Sequence, residues 1–179
     1  MPFLLALSRA IDALNTRIGA LCDWLILAAV LISAGNAASR YLFSLSSNAF
    51  LEIQWQLFAA VVLLGASVTL KQNEHVRVDI IYSAVSPRVR LWIDLVGIIL
   101  FMLPVLVVLL ALSVPFFLSS FRLDEYSANP GGLPFWPVKF MLPLGFFLLL
   151  LQALSELVKR IAAVRGVLTL ETAYEKPLQ

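Results

Sequence analysis

Glu52 has the strongest claim to chemistry, standing in Glu52-Ile53-Gln54-Trp55-Gln56-Leu57-Phe58 at the edge of a long uncharged run. A carboxylate inside a membrane can carry a proton or hold a coupling ion, because ionisable groups at that depth are usually functional. At the start of a helix the same group is stabilised by the macrodipole and stays near water, and we read Glu52 in this capping or interface role. Gln54 and Gln56 read the same way, and Trp55 reads as an interfacial aromatic anchor.

Two loops hold the other polar clusters. In Lys71-Gln72-Asn73-Glu74-His75-Val76-Arg77-Val78-Asp79, His75 lies among carboxylates that could ligate a metal. One histidine with flexible carboxylates is a weak signal. The stretch reads as a short ordered loop whose charges pair locally or with another subunit. In Ser127-Ala128-Asn129-Pro130-Gly131-Gly132-Leu133-Pro134-Phe135-Trp136-Pro137-Val138-Lys139, the Gly-Gly step invites a phosphate cradle. No strand precedes it and no Gly-Lys-Ser/Thr follows, so a structural turn is expected. Phe135 and Trp136 then fall at headgroup level. Asn36 reads as a helix–helix hydrogen-bonding residue, Arg40 as snorkelling outward and Cys22 as a small buried apolar residue. No spacing makes a nucleophile–base pair, a metal cage or an acid–base dyad. Catalytic, metal and cofactor sites are therefore not expected, and the chain does not read as an enzyme.

Composition says what solvent these groups meet. Of 179 residues, 61% are apolar and 13% charged, and mean hydropathy is +0.93. A soluble domain carries about 25% charged residues, so the solvent of this chain is lipid. The 13 Lys and Arg, at net charge +2, are scattered and form no stripe for nucleic acid. One cysteine excludes an internal disulfide or a Cys-x-x-Cys pair, and one histidine excludes bis-histidine haem ligation within the chain.

Uncharged runs place the elements. Trp24 to Ser39 is 16 residues, Ile53 to Leu70 is 18, Leu95 to Phe121 is 27 and Phe140 to Ser155 is 16. A span needs about 20 mainly apolar residues. With flanking residues these runs predict an all-α fold of four transmembrane helices over 18–43, 51–70, 91–118 and 135–157, the last with a helical extension to 166. Asp23, Glu52, Asp94 and Lys139 fall near span ends, and Arg90 is placed to pair with Asp94 one turn on. The third run exceeds the bilayer, and Pro104 and Pro115 are expected places for a bend. Ten of the 13 Lys and Arg lie in the N-terminal segment, the loop between spans 2 and 3, and the C-terminal segment. That split predicts both termini in the cytoplasm. Phe3, Leu4, Leu7, Ile11, Leu14 and Ile18 recur at helical spacing with Ser8, Arg9, Asp12 and Asn15 opposite, which predicts an interfacial amphipathic helix over 1–17. Leu157, Ile161, Val164 and Leu168 continue a similar stripe after span 4. Residues 167–179 read as a cytoplasmic tail.

Taken in order along the chain, these motifs resemble the small membrane subunit, the DctQ-like component, of tripartite ATP-independent periplasmic (TRAP) transporters. The resemblance rests on Glu52-x-x-Trp55, Leu64-Gly65-Ala66, His75-Val76-Arg77-Val78-Asp79, the run from Asn129 to Lys139, Pro143-x-Gly145-Phe146 and Leu149-x-Leu151-Gln152. The Asn-Pro-Gly-Gly-Leu-Pro run is most similar to the branch associated with keto-acid, aromatic-acid or related carboxylate systems. The stretch from Leu168 to Gln179 is extra length. The resemblance implies a bacterial inner-membrane uptake system in which a periplasmic solute-binding receptor delivers an organic acid. A large multi-spanning subunit would carry it, driven by an ion gradient, and the small subunit would pack on that subunit and stabilise it. Glu52, Trp55, His75, Arg77, Asp79, Asn129, Gly131, Gly132, Trp136 and Lys139 would then be subunit-interface or anchoring groups facing partner or bilayer. The alternative is an autonomous homo-oligomeric exporter or channel using Glu52.

Overall fold

Prolines and left-handed caps mark where the helices begin and end. The computed structural model describes residues 1–73 and 85–168. Helix α1 (Pro2–Phe43) opens on proline and closes where Ser44 takes φ 55° and donates its N–H to Ser39 O. Helix α2 (Asn48–Gln72) is capped by Ser47 Oγ, which accepts from Ala49 N, and ends at Asn73 with φ 61°. Helix α3 (Pro87–Arg122) and helix α4 (Trp136–Val164) complete the fold. All four are long and apolar enough to cross a membrane. The expectations placed on His75, Arg77 and Asp79, and on the tail beyond 168, lie outside the described residues.

The helices run up and down. Both described chain ends and the start of α3 lie at one end, here the termini end; residues 44–47 and 123–135 lie at the far end. Helix α4 packs against all three others and α1 packs also on α2. Cys22, Leu64 and Leu148 make one buried cluster, and Leu70, Leu106 and Ala153 another. Gly145 lets α4 approach α2 closely, since a Cβ there would come within 2.7 Å of Leu63 O.

Three features refine the expectations. No break separates residue 17 from 18: α1 is one helix of 42 residues, about 63 Å at 1.5 Å per residue. Its buried residues, Ser8, Asn15, Cys22, Ala29 and Asn36, recur every seventh position, the repeat of a continuous helix–helix seam. Phe3, Leu4, Leu7 and Leu14 face outward, and of the polar side read from sequence Ser8, Asp12 and Asn15 meet α4 while Arg9 stays exposed. Likewise span 4 and its extension form a single helix, with Arg160 buried in it. In α3 the irregularity falls over Ile98–Met102, where the turn widens and Leu103 N–H donates to Ile98 O. Pro104 follows immediately. It has no N–H for Leu100 O, and its ring crowds that carbonyl. Pro115 stays inside regular helix.

Candidate functional site

At the far end, Glu52 organises a loop. It is 4% exposed, and its carboxylate accepts from Leu133 N–H at 2.6 Å, Asn129 Nδ2 at 2.9 Å and the Ser127 hydroxyl. Because Ser47 caps α2, the Glu52 oxygens are directed at the loop and not at the helix terminus. The loop needs such an acceptor. Gly131 takes φ +69°, and Gly132 lies so close to Ser127 that a Cβ would come within 2.5 Å of Ser127 Cβ. A short antiparallel pairing of Tyr126 with Pro134, with Ser127 N donating to Leu133 O at 3.0 Å and Phe135 N to Glu125 O at 2.8 Å, closes it. Asn48 Nδ2 donates to Pro130 O at 3.1 Å and Gln56 Nε2 to Pro134 O at 3.3 Å, so one face of α2 holds the whole loop.

Aromatic and charged residues frame it. Trp55 meets Phe135 at 5.9 Å between ring centroids, and Trp136 meets Phe121 edge-on at 5.6 Å. Lys139 pairs with Glu125 and stands 4.4 Å from the centre of the Phe116 ring. That ammonium holds the Glu125 carboxyl below its ordinary range. Of the residues singled out from the sequence, Glu52, Trp55, Asn129, Gly131, Gly132, Trp136 and Lys139 thus gather at this end. Ser127 and the Leu133 amide join them unforeseen, because a backbone donor leaves no mark in sequence.

The termini end holds a second network, which sequence reasoning missed. Gln152 is fully buried. Its carbonyl accepts from Asn15 Nδ2 at 2.7 Å, while its amide donates to Asp12 at 3.0 Å and to Glu156 at 3.1 Å. Asn15 Oδ1 accepts from Ser67 Oγ at 2.9 Å, and Ser8 and Ser155 hydroxyls meet at 2.7 Å. Lys159 lies between Asp12 at 2.9 Å and Glu156 at 2.6 Å. Arg160 reaches Glu156 at 2.5 Å and Asp94 at 3.2 Å. All four helices contribute, and Asp94 is thereby tied to Arg160 of α4 as well as lying one turn from Arg90. The detectable signal was the seven-residue recurrence of Ser8, Asn15, Cys22, Ala29 and Asn36.

Chemically, both clusters hold. The Glu52 carboxylate meets three donors from one loop, and Gln152 has its carbonyl and both amide hydrogens engaged. Outward, α1 and α3 present large apolar side chains along most of their length. The family described as tripartite ATP-independent periplasmic transporters, DctQ component, matches residues 29–163, about three quarters of the chain. No curated protein matches it, and no solved structure does.

Proposed function

This chain belongs to the DctQ component family of tripartite ATP-independent periplasmic transporters, and we propose that it acts as the fixed small subunit on which the large transport subunit is braced. The chain is a multi-pass membrane protein of a transport system. On this reading the large subunit carries an organic acid together with coupling ions, and a periplasmic solute-binding receptor delivers the acid. The membrane is the bacterial inner membrane, with both termini cytoplasmic as the Lys and Arg distribution predicts.

One observation carries the reading. Most buried polar side chains at the two ends of the bundle are tied to one another, while its exterior is mainly apolar. A carrier domain that slides through the bilayer must move against something that does not. Helices cross-linked through buried hydrogen bonds make such a frame, since each bond is hard to replace once water is excluded. Glu52 engaged with its own loop argues against the autonomous channel.

The test is a tagged pull-down from mild-detergent membranes of the native host. A stoichiometric partner of a dozen or so spans is the expected result. Recovery only as a monodisperse homo-oligomer would overturn the proposal.

A further inference from the structure

An acid on the outer side of α1 lacks a cation. Asp23 is exposed, and among the described residues no basic side chain lies within ion-pair distance of it. Its depth follows from register. Neighbouring Cys22 packs on Leu64, and α2 runs six more uncharged residues, through Leu70, before Lys71, about 10 Å at helical rise. Lys71 itself binds Thr16, two turns of α1 nearer the termini. Leu21, Trp24 and Leu27 around Asp23 are exposed and apolar. Left uncovered, the carboxylate would face hydrocarbon, where acidic side chains are rare and pair with something.

Asp23 also lines a groove of about 460 Å³ between α1 and α2, together with Thr16, Gly19, Ala20, Gly65 and Thr69, with Lys71 at its termini end, two turns from Asp23. Two further observations say what the groove suits. A Cβ on Gly65 would meet nothing within 4 Å, so this glycine, unlike Gly145, is not demanded by the chain's own packing; it keeps the groove open. The Thr16 hydroxyl donates to Asp12 O at 2.8 Å and the Thr69 hydroxyl to Gly65 O at 3.1 Å. With its proton engaged, Thr69 offers only lone pairs to an incoming group, whereas the Thr16 oxygen already accepts from Lys71. A carboxylate without an ion-pair partner and the Thr69 hydroxyl acceptor, on a floor of small residues, fit a cationic donor carried by a closely packed helix.

We propose that the α1/α2 groove receives a membrane helix of the large subunit and that a Lys or Arg on that helix pairs with Asp23. This rests on the subunit reading above, and the experiment separates the two. Tagged wild type, Gly65→Leu, Asp23→Asn and Asp23→Lys are purified from native-host membranes, and the large partner is quantified. Gly65→Leu fills the groove with a better helix former, so the isolated chain is expected to melt no lower than wild type while partner recovery falls. Asp23→Lys is expected to reduce recovery on the order of ten-fold or more, with Asp23→Asn between it and wild type. A photoreactive side chain in place of Ala20, in an otherwise wild-type chain, is expected to cross-link to a helix of the large subunit. An acid placed at the basic residue found there is expected to restore Asp23→Lys. A wild type without a large partner defeats the subunit reading itself. A wild type with its partner, matched by Gly65→Leu and Asp23→Lys, or an Ala20 photoadduct with lipid alone, overturns this inference only.

Discussion

At the far end one carboxylate shapes a loop, whereas at the termini end charges and amides bind helices to one another. Glu52 accepts from a hydroxyl, an amide and a backbone N–H that lie between Ser127 and Leu133, so its influence is local. From α4, Gln152, Lys159 and Arg160, joined through Glu156, reach Asp12 and Asn15 of α1 and Asp94 of α3, and Asn15 carries the network on to Ser67 of α2. The difference is one of what has to be held. An irregular segment has backbone donors without helical partners and needs acceptors. Regular helices satisfy their own backbones, so only side chains can register them against each other. In a medium that gives no hydrophobic drive between helices, packing and hydrogen bonds set that register.

The contrast can be broken from either side. Glu156→Ala has the largest expected effect, because it strips the central acceptor from both Lys159 and Arg160. Loss of one partner of a buried pair costs about 3–5 kcal/mol. Reversible unfolding in mixed micelles should show the whole bundle weakened; an unchanged transition would mean that the network does not hold the helices together. Gln152→Leu should follow at about 1–3 kcal/mol, since Asn15 is left with an unmatched buried donor. Glu52→Ala should behave differently, with proteolysis within 123–135 accelerating while the global unfolding midpoint moves less than in Glu156→Ala. Equal loss in both assays would erase the distinction between the two ends. Gly132→Ala forces a Cβ toward Ser127 and should loosen the same loop by about 1 kcal/mol, read by the same protease.

Acid provides the mildest probe. Lys139 depresses the Glu125 carboxyl in the folded chain. The pair's contribution is therefore complete above the ordinary carboxylate value of about 4.3 and is lost as pH falls through the lower folded value. Loop proteolysis, measured with an acid-active protease, should stay flat from neutrality to about pH 5 and rise below the ordinary value. A rise already between pH 7 and 6 would point to a different group.

Much of the far end was legible in sequence. Asn129-Pro130-Gly131-Gly132 announces a turn through its own backbone preferences, and Glu52 is conspicuous as a charge bordering an apolar run. The termini end was half legible. The stripe through Ser8 and Asn15 is visible in the spacing, but an interfacial helix would turn it toward water. Hydrophobic periodicity tells which residues share a face and is silent on which solvent that face meets. In a bundle surrounded by lipid the polar face turns inward.

What the amino-acid sequence determined alone was the number of long apolar helices, the positions of their polar edges and the turn between α3 and α4. Those properties are sums or preferences over neighbouring residues, so no distant contact is needed to set them. Only the tertiary structure decided that α1 continues unbroken through residue 17, that Gln152 lies at the centre of a four-helix network, and that Glu52 holds a loop. Each of these depends on donors and acceptors brought together from distant parts of the chain. Asp12 and Gln152, for example, are separated by 140 positions, and only the packing of α1 on α4 makes them neighbours.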